Sequence, residues 1–431
     1  MFSSELWNKS GVSTYSIDQS IRFNDDDSAY MYKDFSGAGN QKQFTISLWL
    51  KRSLLGSRQD IWSYQQDVPL IFFSDDTIRV FLFGGTSLVT NRVFRDPSAW
   101  CHFVLTVDST NAVSSERIRL YVNGQRETSF STESYPSLNA DASVWTSGLQ
   151  LRLFRLYGGT NYYDGYAAEI HYLDGISYGP EFFGETNDSG IWIPKEYSGS
   201  YGSNGFKIDG RDSADLGDDE SGNGNDFTTS GLAAHDQMVG ESPTNNHCTW
   251  NVLRPTGSTT MSDGNLTVTT SGATYKSILG TIGIPPNSGI FYYEGVVHSH
   301  TIQLIFGWGS SEMGVNQNNN PATPKWFGYG DYLGKYYSSS GDGSVGDAFE
   351  NNDVIGVWID TDNTSNNLKF YRNGTLQSTH SFDFSDVDFI MPLTQHLNGC
   401  SATGRFASNQ WTQTPSGITD DNAINTKNLG S

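Results

Sequence analysis

The chain has 431 residues with 47 acidic against 26 basic side chains, a formal net charge of −21. A field of that sign repels phosphate backbones and anionic lipid, which excludes nucleic-acid wrapping and a polybasic membrane anchor. A hydrophobic content of 36% is enough to fill two or three domain cores, and three widely spaced cysteines, Cys101, Cys248 and Cys400, exclude a disulfide framework.

The first residues, MFSSELWNKSGVS, carry neither a basic n-region nor an apolar h-region, and no run approaches the ~18 apolar residues a membrane helix needs, so no insertion is expected. Phe2, Leu6, Trp7 and Tyr15 are apolar anchors in a segment, 1–16, too short to fold alone, and are predicted to make a docking contact with another protein. A short strand then ends in Asn24, Asp25, Asp26 and Asp27. Such carboxylates repel one another unless solvated or neutralised, and Ca²⁺ is the cation that would suit them.

Alternating runs follow at Phe44–Leu50, Phe103–Val107 and Arg117–Val122, and later at Tyr292–Val297 and Val354–Ile359. With 46 glycines and frequent Asn-Gly and Asp-Gly pairs, this predicts an all-β protein. One unit occurs twice: a strand ending in Asp108 resumes as Arg119–Val122 and turns at Asn123-Gly124, and a strand ending in Asp360 resumes as Lys369–Arg372 and turns at Asn373-Gly374. Asn-Gly supplies the two positive-φ residues of a type I′ hairpin, so two tandem antiparallel β-sandwiches are predicted.

In the run Gly165–Gly184, Glu169 and His171 share one face of a strand and Asp174 follows at a turn. Residues 185–255 are rich in Asp, Gly and Asn with isolated aromatics, and are predicted to be an ordered connector packed on both domains; their aspartates lack the closing glutamate of an EF-hand loop. His298 and His300 form an i, i+2 pair without a companion ligand. Gly341-Asp-Gly343-Ser-Val-Gly346 matches a phosphate-binding pattern by letter, but without strand before and helix after it reads as a loop. No nucleophile elbow, H-E-x-x-H helix or Walker A loop occurs.

On SIRFNDDDSAY, FTISLWLKRS, the WCHFVLTVD and RLYVNGQ unit and GYAAEIHYLDG, residues 17–184 resemble a laminin-G or concanavalin A-like lectin domain. On SGIFYYEG, FGWGSS, WFGYGDYLGKYY, DVIGVWIDTDN and LKFYRNG, residues 256–410 resemble a SPRY domain, leaving 411–431 as a tail. The tandem pair is similar to structural proteins of marine tailed bacteriophages. Glucanases of the first fold carry Glu-x-Asp-x-x-Glu, whereas this frame reads Glu169-Ile-His171-Tyr-Leu-Asp174, which argues against catalysis. Lectin calcium sites of this type use an acidic pair where this chain has Ala168-Glu169, leaving Asp26 and Glu169 as the metal candidates.

The resemblance implies a non-enzymatic virion fibre, spike or decoration, assembled in a bacterial cytosol as a homo-oligomer, with other virion proteins and host-surface glycans as partners. Trp326, Tyr329, Tyr332, Tyr336 and Tyr337 are the aromatics expected to stack on a ligand. A decoration without glycan binding and a polysaccharide-degrading tailspike are the competing expectations.

Overall fold

The computed structural model describes residues 15–64, 68–142, 148–254, 258–301, 303–313, 325–331, 335–338, 341–344 and 346–429. Among them the regular elements are antiparallel β-strands and three-residue 3₁₀ turns, so the all-β expectation holds. No helix among the described residues is long and apolar enough to cross a membrane. The chain divides into two compact units, Met1–Thr244 and Asn245–Ser431.

The described part of the first unit has two eight-stranded sheets. One runs, in spatial order, Gln125–Arg126, Ile118–Val122, Cys101–Asp108, Gln43–Arg52, Gly165–Asp174, Gln19–Phe23 and Gln237–Val239, with Phe206–Ile208 also paired to Gly165–Asp174. The other runs Phe130–Glu133, Gly85–Val93, Thr77–Leu82, Val68–Ser74, Gln59–Tyr64, Gln150–Leu153, Tyr30–Asp34 and Thr228–Ser230. Phe44, Leu48, Trp62, Phe73, Phe103, Tyr172 and Phe206 fill the core they share.

Thr77–Leu82 alternates buried and half-buried residues, as a strand with one wet face should. Gln43–Arg52 and Gly165–Asp174 are instead buried along almost their whole length, so their second face is also covered. The cover comes from the chain that follows. Thr45 Oγ1 donates to the carbonyl of Ile176 (2.8 Å) and accepts from the amide of Tyr178 (2.9 Å), while Thr106 Oγ1 donates to the carbonyl of Tyr178 (2.6 Å). Phe183, Tyr197 and Tyr201 then bury themselves against Val104 and Leu173. The unit boundary at 244/245 falls inside the segment read as a connector. Three of that segment's strands, Phe206–Ile208, Thr228–Ser230 and Gln237–Val239, pair within the first unit.

In the second unit, the described strands form a seven-stranded sheet around Ile290–Ser299 and Val354–Asp360 and a six-stranded sheet around Gln303–Ser310 and Ile390–Leu397. Gly341–Ser344 pairs with Lys335–Ser338 at the rim of the latter. The stretch read as a loop is thus an edge strand, where a residue without a side chain is tolerated. The tail returns to its own unit: the amide of Cys248 donates to the carbonyl of Ile424 (2.9 Å), and Trp411 packs edge-on against Tyr292 at 4.9 Å.

The duplicated hairpins use one device. Asn123 (φ 47°) and Gly124 (φ 75°) match Asn373 (φ 49°) and Gly374 (φ 76°), the left-handed pair a type I′ turn requires. Asn123 Oδ1 accepts the amide of His102 (2.7 Å), and Asn373 Oδ1 accepts the amide of Val354 (2.9 Å).

Candidate functional site

The polar cluster nearest to the glucanase frame is built around Glu169. Register slips between Ala168 and His171, and Glu169 itself takes φ 47°, so a β-bulge turns its side chain to the covered face of the sheet. There Glu169 Oε2 lies 2.9 Å from His171 Nε2, and Oε1 lies 3.0 Å from Lys207 Nζ. The same ammonium lies 3.3 Å from Asp209, which also binds Arg211 at 2.5 Å. His171 Nδ1 meets the Tyr201 hydroxyl at 2.9 Å, and the Tyr15 hydroxyl hydrogen-bonds to Glu169. Burial alone would push the Glu169 carboxyl up. The hydrogen bond and charge of His171, then Lys207 and the Tyr15 hydroxyl, reverse this and hold it down at about 2.

Beside this cluster, His102 lies between two indoles, Trp49 at 4.6 Å and Trp192 at 6.0 Å. The Trp192 indole N–H donates to His102 Nδ1 (3.0 Å), so Nε2 carries the proton and donates to Ser47 Oγ (2.8 Å). Burial, and next the neighbouring His171, lower the His102 pKa to about 3, so the ring is neutral.

Glu169 and Asp209 are a buried acid couple, but one bridged by an ammonium and roofed by Tyr15 and Tyr201. A glycosidase acid must hold a proton at working pH, which requires a raised pKa. Glu169 is displaced the other way, which removes it from the acid role, and as a nucleophile it is engaged on both oxygens, by His171 and Lys207, beneath the Tyr15 hydroxyl. The cluster therefore clamps the covering chain to the sheet. Asp174 does likewise, accepting the amides of Asn40 (2.6 Å) and Asn204 (3.1 Å).

The structure corrects several expectations about single residues. Phe23 pairs with Gly165, so exposed Asp26 leaves the sheet at the opposite end of the strand from Glu169, and the two cannot share a cation. Among the described residues no group of three or more His, Cys, Asp or Glu is arranged to hold a metal. Trp326 and Tyr329 are core side chains, 2% and 0% exposed, because their glycine-rich strand lies inside its sheet with both faces covered; they cannot stack on a ligand. Tyr336 and Tyr337 are placed only by backbone, opposite Tyr329 and Gly328, and Tyr332 lies outside the described residues. Phe2, Leu6 and Trp7 lie outside them too. Tyr15 is committed to Glu169 within its own unit, which removes it from a docking contact.

The outer face of the other sheet of the first unit carries an aromatic and cationic platform that sequence reasoning missed. Tyr30 and Tyr32 alternate with the core residue Met31 and stack at 5.9 Å. Register sets Arg152 beside Tyr32, and its guanidinium lies 5.3 Å from the Tyr30 ring and 4.3 Å from the Tyr157 ring. Arg155 lies 4.8 Å from Tyr30 and 4.9 Å from Tyr162. All six side chains are half-buried. The available signal was the alternation in Tyr30-Met-Tyr32 and the spacing in Arg152-Leu-Phe-Arg155-Leu-Tyr157, which lie about 120 residues apart in sequence and meet only through strand pairing.

Comparison with known proteins divides the chain in the same way. Residues 23–175 match the family model of the concanavalin A-like lectin/glucanases superfamily, and residues 290–405 match the SPRY domain. The chain is 33% identical over 163 residues to Ran-binding protein 9 of Xenopus laevis, covering 36% of this chain and 28% of that one. It is 33% identical over 142 residues to Ran-binding protein 10 of Danio rerio, covering 32% and 22%. It thus spans about a quarter of the length of these relatives. Among solved structures, the SPRY domain of human HERC1 is similar at TM-score 0.31 and 15% identity, covering 36% of this chain and 96% of that one. A putative carbohydrate binding protein from Bacteroides ovatus is similar at TM-score 0.36 and 16% identity, covering 50% and 58%. The chain carries a concanavalin A-like, laminin-G-type domain followed by a SPRY domain.

Proposed function

We propose that this protein is a non-catalytic recognition component of a bacteriophage particle, in which the first unit binds host-surface saccharides, residues 1–14 dock the chain to the particle and the second unit contacts other virion proteins. The observation that carries the reading is the contrast between the two outer faces of the first unit. The face bearing the glucanase-like frame is sealed, with Glu169 ionised and neutralised by Lys207. The opposite face presents stacked tyrosines, whose rings suit the C–H faces of sugars. The likeness of residues 23–175 to a lectin and glucanase superfamily supports saccharide binding, and that of residues 290–405 to SPRY domains supports a protein partner for the second unit.

Retention of the purified chain on a host-surface polysaccharide column, with Tyr30→Ala eluting early, is the expected result. Glu169→Gln should leave retention unchanged and no oligosaccharide should be released. Release that stops in Glu169→Gln would make the protein a depolymerase, and absence of retention on every polysaccharide tested would leave only a decoration role. Immunogold labelling of purified particles tests the virion assignment, which fails if particles carry no label. Removing residues 1–14, while keeping the Tyr15 anchor, should leave both units folded and abolish incorporation.

A further inference from the structure

From the Tyr30 platform we infer that the saccharide it takes is acidic, bearing a carboxylate as uronic acids do. This rests on the saccharide-binding reading above and names its ligand class. In a chain of net charge −21, a cationic patch on an open sheet face is conspicuous. Among the described residues, neither Arg152 nor Arg155 has a carboxylate within ion-pair distance, a state they share with Arg92, Arg117, Arg119 and Arg254, whereas Arg22, Arg52, Arg58, Arg79, Arg95, Arg126, Arg211, Arg372 and Arg405 are paired; Arg152 and Arg155 meet over one tyrosine ring.

What holds the two guanidiniums is neutral. Arg152 Nε donates to Gln150 Oε1 (2.8 Å) and Nη1 to the carbonyl of Tyr157 (2.7 Å), and Arg155 Nε donates to the carbonyl of Gly159 (3.1 Å). These bonds hold each guanidinium beside the Tyr30 ring without cancelling its charge, and leave Nη2 of Arg152 and both terminal nitrogens of Arg155 as donors for a carboxylate.

The ligand then needs apolar C–H groups to lie along the half-buried rings of Tyr30, Tyr32, Tyr157 and Tyr162 and an anionic edge for the arginines, which a sugar carboxylate combines. A singly charged carboxylate also meets less of the repulsion from the surrounding acidic surface than a phosphate dianion does, and that repulsion is screened beyond about 10 Å at 0.1 M salt.

Calorimetric titration of the full chain with oligogalacturonate, a neutral glucan oligomer and a phosphorylated mannan oligomer tests this. Oligogalacturonate should bind at least about tenfold more tightly than the neutral oligomer. Arg152→Gln combined with Arg155→Gln should abolish that advantage. Arg152→Lys, which keeps the charge and loses the fork, should weaken it by several-fold, with thermal melting confirming that each variant is folded. Equal binding of neutral and acidic oligomers, unmoved by the arginine changes, would overturn the inference and leave saccharide recognition standing. Preference for the phosphorylated oligomer would overturn the carboxylate assignment. Binding of none of the three would overturn the inference, while retention on the host-surface polysaccharide column decides separately whether the reading beneath it stands.

Discussion

The two units share a hairpin and differ in what lies on it. In the first, the tip glycine Gly124 lies against the Trp192 ring, so closely that an added Cβ would come within 2.4 Å. In the second, Gly374 faces the carbonyl of Gln413 at a looser 3.3 Å. Each unit is covered by chain lying C-terminal to its hairpin, and each pins that cover with a buried glutamate on a central strand. Glu169 does so through side chains, directly by Lys207 and through His171 by Tyr201. Glu294 does so through backbone: its oxygens accept the amides of Thr412 and Gln413, both at 2.8 Å, with Arg405 at 3.5 Å. A carboxylate on the face of a strand thus serves as a fastener in both units, which is why an acidic residue in such a frame is a poor indicator of catalysis.

The sharpest break in this parallel should come from Glu294→Ala, which leaves two amides and a guanidinium without their acceptor. A loss of about 4 kcal/mol in the stability of the second unit is expected, read as early deuterium exchange and proteolysis of residues 412–429. Little change there would show that the tail is held by its other contacts.

Gly124→Ala comes next. It places a side chain at φ 75° and against an indole fixed by its bond to His102, for an expected cost of about 3 kcal/mol. Gly374→Ala meets the backbone penalty and the milder 3.3 Å approach to the Gln413 carbonyl, about 1–2 kcal/mol in all. Equal losses in urea unfolding of the two variants would mean that Trp192 yields and that the aromatic cover is soft.

Acid should act on both units from the same starting point. His102 in the first is held at about 3, and burial holds His396 in the second at about 4. Both are below the unfolded value near 6.5. The unfolded chain therefore takes up the proton first, and this stability is complete above pH 6.5 and lost as pH falls toward the folded values. Each histidine should cost its unit about 2 kcal/mol between pH 6.5 and 5. Burial also lowers His380 in the second unit, so that unit should loosen first. Below pH 4.5 protonation of Glu169, held at about 2, adds to the loss in the first. Hydrogen exchange followed peptide by peptide against pH measures both, and a first unit that opens at higher pH than the second would contradict this order.

From sequence alone, the strand class, the duplicated hairpin and the two domain resemblances were legible, because alternation and Asn-Gly turns are local signals with a period the backbone imposes. So was the shared face of Glu169 and His171. Tertiary structure decided what each face meets. The polar residues Thr45, His102 and Thr106 alternate with core residues, yet they receive the backbone and indole of a segment more than 60 residues further on. Trp326 and Tyr329 looked available because neighbouring glycines mimic a loop, and a covered strand buried them. Tyr30 and Arg152 became one platform only when antiparallel register joined distant strands, since pairing partners are chosen by the packing of the whole sandwich rather than by any local run of residues.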